Sequence, residues 1–142
     1  MGCYYCEKGA ELDNLMVRIC TLSASDVYLV RNQNFPGRCV VAYKEHKTEL
    51  FQLTEKERND YAKDVSVVAK AIYELFDADK LNYAIYGDGV PHLHYHIIPK
   101  KKDEYCWGSP FDMNGNPTFL SEEELSGRVA LIREYIEKQM AE

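Results

Sequence analysis

From Thr54 onward the chain settles into a helical rhythm. Tyr61, Val65, Val68, Ile72 and Leu75 recur at steps of four, three, four and three, which gathers them on one face of a helix. The segment opens with "TEKE", a capping box in which Thr54 and Glu57 satisfy each other's backbone N–H groups. Ser121 and Glu124 repeat the signal, and predict a C-terminal helix over about 121–140 with Leu125, Val129, Ile132, Ile136 and Met140 on its apolar face. Elsewhere β-branched and aromatic residues collect in short runs. Met16 to Leu22, Val27 to Val30, Arg38 to Tyr43, Asn82 to Tyr86 and His92 to Pro99 read as strands. The short links "SAS" and "GDGVP" favour antiparallel neighbours, since parallel neighbours need a long crossover. The pattern predicts an α+β layer architecture: about five antiparallel strands, one long central helix and a C-terminal helix. Lys101 to Asn116, with Gly108, Pro110 and Gly115, is a loop longer than a connector requires.

A chain of 142 residues carries enough material for one core and not for two, so a single domain over 1–142 is expected. Hydrophobic residues make up 46% and charged residues 28%, both ordinary for a globular domain. The net charge of -6 and the lack of a long basic run argue against a nucleic-acid backbone as partner, and leave room for a small phosphorylated ligand at a local site. No run approaches the ~18 apolar residues of a transmembrane helix. Met1 to Cys6 lack the basic-then-apolar pattern of an export signal. Five cysteines is an odd number, poorly suited to a complete disulfide framework, so reduced thiols and a cytoplasmic setting are expected.

Three of the four histidines fall in "HLHYHIIPK", at every second position. On a strand, alternation points His92, His94 and His96 to one face and Leu93, Tyr95 and Ile97 to the other. Three adjacent imidazoles make a poor core, and their concentration in one strand argues against scattered surface residues. Two functional readings stay open from the spacing alone. The three histidines ligate a metal together, or they divide nucleophilic and supporting roles in phosphoryl chemistry.

"CYYC" places Cys3 and Cys6 as the usual first half of a zinc site, and no second CxxC follows. His46 and one triad histidine would complete a closed Cys2His2 set that pins the N-terminal segment to the sheet. Thiol–disulfide exchange is the competing account, but it favours a pair at the start of a helix preceded by a strand, and no strand precedes this one. A pair of ordinary cysteines is the third.

Beyond these residues the chain resembles the histidine triad family of nucleotide hydrolases and transferases. "HLHYHII" fits the alternating His-φ-His-φ-His-φ-φ signature (φ apolar), "PGRCVVAYKEHKTELFQLTEKE" is similar to the family's strand, Lys-x-His, link and long helix, and "GVPHLHYHIIPK" with "YCWGSP" resembles its microbial, zinc-binding branch. The resemblance covers roughly Cys3 to Pro110. It implies that His94 attacks the α-phosphorus of a nucleotidyl compound, such as a nucleoside phosphoramidate, to form a nucleotidyl-histidine intermediate that water hydrolyses. His96 would hydrogen-bond phosphate oxygens or the leaving group. Gly87, Asp88, Gly89 and Val90 would cradle the phosphate, and Tyr4, Tyr5, Val30 and Asn32 would surround base and ribose of a purine nucleotide such as AMP or GMP. Cys3, Cys6, His46 and His92 would hold structural Zn2+, and a homodimer would be the working unit.

Two positions depart from the family pattern. Asp88 stands where an Asn or Gln usually donates to phosphate, which an ionised carboxylate cannot do. Arg38 stands where many members carry His, and reads either as a surface residue or as the partner of an acid across the sheet. The lysines of the run Lys100 to Lys102 are expected to be a solvated strand exit, or to steer outer phosphates. Trp107 is expected to flank an active site or anchor its loop. The alternatives to a phosphoramidase are a dinucleoside polyphosphate hydrolase and a nucleotide-binding protein with little turnover.

Overall fold

The computed structural model describes residues 2–142. Five strands run Met16–Thr21 (β1), Ser25–Val30 (β2), Cys39–Tyr43 (β3), Lys80–Ile85 (β4) and His94–Lys100 (β5). They form one sheet in the order β1-β2-β3-β5-β4, and every neighbouring pair is antiparallel. The chain leaves β3, crosses through the helix Glu55–Leu75 to the sheet edge, and returns inward, so the histidine-bearing β5 lies between β3 and β4. A strand flanked on both sides holds its side chains in fixed register, which is what a reaction centre needs.

Both capping boxes form. Thr54 accepts from the Glu57 amide, and Ser121 accepts from the Glu124 amide. The long helix and the C-terminal helix Glu122–Ala141 lie on one face of the sheet. There Tyr61, Val65, Val68, Ile72, Leu125, Val129, Ile132 and Ile136 pack against Ile19, Val27, Leu29, Val41 and Ile97. Met140, expected on the same apolar face, is instead exposed, at an open recess beside Cys20, Thr21 and Leu22.

The sequence boundaries need revision at β2, β4 and β5, with β4 beginning at Lys80 and not at Asn82. β2 begins at Ser25 and not at Val27, and both added polar residues are buried. The carboxylate of Asp64 on the long helix explains this: it accepts from the Ala24 amide and the Ser25 hydroxyl, each at 2.8 Å. A buried, charge-assisted anchor of this kind lets a polar turn close against the core. β5 begins at His94, so His92 lies just before the strand.

Two short helices were not expected, Tyr4–Glu7 (α1) and Ala10–Leu15 (α2), making the long helix α3 and the C-terminal helix α4. They cover one end of the second sheet face, where Cys3, Tyr5 and Leu12 pack on Met16, Tyr28, Val30, Val40 and Ala42. A smaller cluster of Phe35, Ile98 and Phe111 covers the other end. Between these two clusters the triad histidines reach the sheet face.

Candidate active site and metal cluster

The register brings Ala42 opposite His94 and Val40 opposite His96, so small and medium apolar side chains leave room for the two imidazoles. The His94 and His96 rings lie 4.9 Å apart, edge to face. His94 Nδ1 is 2.5 Å from the His92 carbonyl oxygen. That contact makes Nδ1 the protonated nitrogen and leaves the Nε2 lone pair free. Burial lowers the His94 pKa, only partly offset by its bond to the His92 carbonyl, so the ring is neutral and nucleophilic near pH 7. His96 is pushed down to about 3, first by burial, then by the neighbouring His94 and Arg38. It therefore offers hydrogen bonds and not a charge.

Two cavities meet at the His96 ring, and His94 lines the first of them. One, about 410 Å³, is lined by His94, His96, Tyr86 and the turn Gly87, Asp88, Gly89 and Val90. The other, about 240 Å³, is lined by Tyr4, Tyr5, Val30, Asn32 and Val40, with Arg38 and His96 on its wall. Tyr4, His96 and Met113 belong to both. Every residue expected around phosphate, ribose and base is thus brought to one of two adjoining spaces. Asn32 is held by its own amide oxygen, which accepts from the Thr118 N–H at 2.9 Å, and its Nδ2 makes no such contact among the described residues. Asp88 is exposed.

Tyr5 was expected near the base and also touches the triad, its ring 4.9 Å from His94 and 5.4 Å from His92. Met113 and Phe111, 6.2 Å from His96, were not expected at all. Apolar residues in a loop with no period carry no sequence signal for a cavity wall.

Cys3, Cys6, His46 and His92 form a compact cluster in which one ligand atom from each lies within 4.8 Å of the others. His92 Nδ1 is 3.4 Å from both thiol sulfurs and 3.3 Å from His46 Nδ1, and Cys6 Sγ is 3.4 Å from His46 Nδ1. A tetrahedral ion with Zn–S near 2.3 Å and Zn–N near 2.0–2.1 Å calls for ligand separations of about 3.3–3.8 Å, so this donor set fits zinc. His92 Nε2 lies 2.6 Å from the Tyr43 carbonyl and donates to it, which leaves Nδ1 as the ligating atom. The α1 backbone makes the arrangement: Cys6 and Glu7 amides both donate to the Cys3 carbonyl, curling the two thiols toward one point.

Two expectations are corrected and a third, for Trp107, is narrowed. Arg38 is neither at the surface nor paired with an acid: it is 4% exposed, and its Nη1 donates to Asn34 Oδ1 and the Met113 carbonyl. Lys100 is not a solvated exit. It is buried within an interior strand and its ammonium donates to the carbonyls of Cys106 and Ser109, anchoring the loop after β5. Trp107 lines a separate recess with Lys80, Asn82 and Lys100, not the cavities of the triad.

The HIT domain family model matches residues 20–103. Adenosine 5'-monophosphoramidase hnt1 of Schizosaccharomyces pombe is 31% identical over 109 residues, 76% of this chain and 81% of that protein. A bis(5'-adenosyl)-triphosphatase of Saccharomyces cerevisiae is 37% identical over 73 residues, 47% of this chain but 35% of that longer protein. A histidine triad protein from Bradyrhizobium japonicum superposes with a TM-score of 0.81 at 26% identity, covering 90% of this chain and 96% of that one. A Zn-bound histidine triad family protein from Mycobacterium smegmatis shares the fold, with a TM-score of 0.68 at 20% identity over 99% of this chain and 97% of that one.

Proposed function

The chain belongs to the histidine triad (HIT) family, and from that premise we propose that it hydrolyses nucleoside phosphoramidates, or related nucleotidyl compounds, at the α-phosphate. The observation that carries this reading is the meeting of two cavities at His96, one walled by His94 and a glycine-rich turn and the other by aromatic and aliphatic side chains. The name of the fission yeast relative supports the phosphoramidate class.

In the proposed reaction the purine and ribose of an AMP- or GMP-type group occupy the cavity of Tyr5, Val30 and Asn32. The phosphate rests against Gly87, Asp88, Gly89 and Val90. The lone pair of His94 Nε2 attacks the α-phosphorus, and the phosphorus–nitrogen bond to the leaving group breaks. The leaving nitrogen takes that electron pair and a proton from solvent, and departs as an amine. Water then attacks phosphorus, the bond to Nε2 breaks, and the nucleoside monophosphate is released. Splitting one displacement into two lowers the barrier to each. His96, neutral throughout, hydrogen-bonds the developing phosphate charge.

Cys3, Cys6, His46 and His92 are the proposed holders of structural zinc, whose contribution is to fix α1 against the sheet. The metal in the Mycobacterium smegmatis relative supports this assignment. A homodimer in the cytoplasm is the proposed working state. Among the described residues no helix is long and apolar enough to cross a membrane.

The test is release of AMP from adenosine 5'-phosphoramidate by the wild type beside His94→Ala. Turnover by the wild type and a loss of more than about a thousandfold in the variant are expected, since the covalent route disappears with its nucleophile. Equal rates would dismiss His94 as the nucleophile. Diadenosine triphosphate belongs in the same assay, because the budding yeast relative favours it as the second substrate class.

A further inference from the structure

Arg38 is a buried cation without a counter-charge. Gly37 delivers it to the start of β3 through a turn at φ 95°, where a Cβ would stand 2.6 Å from the Phe76 ring, so no other residue fits. Among the described residues no carboxylate forms an ion pair with Arg38. A desolvated guanidinium lacking an acid is costly to maintain, so its place in the fold calls for a reason other than a structural ion pair.

The acceptors name the reason. Nη1 donates to the Met113 carbonyl at 2.8 Å and to Asn34 Oδ1 at 2.9 Å. Asn34 then donates through Nδ2 to the carbonyls of Asp112 and Gly115, at 3.1 and 2.9 Å. Two buried side chains in the connection from β2 to β3 thus hold three carbonyls of one irregular segment. That segment is itself tightly wound: Asp112 Oδ1 accepts from the amides of Asn114 and Gly115, and any side chain at 115 would collide with Asp112 and Tyr105. Phe111 stands 6.0 Å from the Arg38 guanidinium carbon, a weak cation–π contact, and Met113 lies on the wall of both cavities.

We propose that Arg38 is a positioning residue for the nucleotide site: with Asn34 it latches the Phe111–Gly115 segment across the triad face, and so sets the wall shared by the two cavities. The proposal rests on reading those cavities as the nucleotide site. Arg38 Nε and His96 Nδ1 are the two buried side-chain polar atoms left without a partner among the described residues, and both residues line the smaller cavity. The Nη1 contacts with Asn34 and the loop are thus the side-chain hydrogen bonds that Arg38 makes among the described residues.

Arg38→Met and Asn34→Ala separate a latch from a charge, because the second variant keeps the guanidinium and Asn34 lines neither cavity. Backbone amide exchange over 111–115, the KM and kcat for adenosine 5'-phosphoramidate, and the Kd for AMP are measured in each. Both variants are expected to speed exchange over 111–115 and to raise KM and Kd about tenfold, the equivalent of one positioning hydrogen bond, with kcat changed less than about threefold. An Asn34→Ala protein with wild-type exchange and KM would overturn the latch, even if Arg38→Met were impaired. So would faster exchange with unchanged KM and Kd. If the wild type hydrolysed nothing yet bound AMP, the functional reading would fall while exchange and Kd still decided the latch. No AMP binding by the wild type would overturn both.

Discussion

The imidazole of His96 shows how burial links chemistry to stability. An unfolded histidine titrates near 6.5, whereas folded His96, shielded from water beside His94 and Arg38, does so at about 3. Between those values the unfolded chain binds a proton that the folded chain refuses. The stability His96 lends is therefore complete above about pH 6.5 and drains away as pH falls toward 3. Urea midpoints should decline from pH 7 to pH 4, and His96→Asn should flatten part of that decline; an unaltered slope would mean that His96 is not held neutral. Asp88 makes the opposite kind of statement, about charge in water. Exposed at the rim of the cavity proposed for phosphate, it would face a ligand of its own sign. Asp88→Asn should tighten AMP binding, by up to about fivefold given the small worth of exposed charges, and calorimetric titration reads the change directly. Residues of these two kinds differ in how readable they are. The triad announces itself by type and spacing. Arg38 does not, because a cation after "PG" has the same appearance in a chain whether it ends at the surface or under Phe111.

At the scale of elements, α1 joins two tasks in four residues. Cys3 and Cys6 lie at its start and within it, while Tyr4 lines both cavities and Tyr5 packs on His92 and His94. A helix this short is unstable alone, so whatever grips its thiols also fixes the aromatic wall of the proposed nucleotide site. Cys3→Ala, or a strong chelator, should release about one equivalent of metal and lower the melting temperature by at least about 5 °C, a loss of one to two kcal/mol in a chain of this size. AMP binding should weaken with it, while some turnover at His94 persists. Unchanged melting and binding after metal removal would detach α1 from both roles. Neither α1 nor α2 was legible in the sequence. Each is shorter than two turns, and neither has a side-chain cap. The long helix α3 and α4 were readable because both signals, box and period, are present over five turns. The early start of β2 was hidden for another reason: Ser25 and Asp26 look like turn residues until Asp64 and Lys8 arrive from elsewhere.

For the molecule as a whole, the architecture follows from a sheet with two unlike faces. One is sealed by α3 and α4 into the main core. The other is covered at both ends by small clusters, and the open interval between them falls on the interior strand β5 that carries His94 and His96. The layer class and antiparallel pairing could be read from periods and link lengths. The order of the strands could not, since no local signal says that β5 returns between β3 and β4. That order has a kinetic consequence. Cys3 and His92 meet across 89 positions, and Cys6 and His46 across 40, so the metal cluster closes loops that enclose almost the entire sheet. An ion seated there is a reversible cross-link over much of the chain; closing a loop of about that length removes on the order of 4–5 kcal/mol of unfolded-state freedom in the chain-entropy description of disulfides. Such a clasp would hold back the unfolding of distant strands it never touches, and would tie the lifetime of the native state to the supply of an ion.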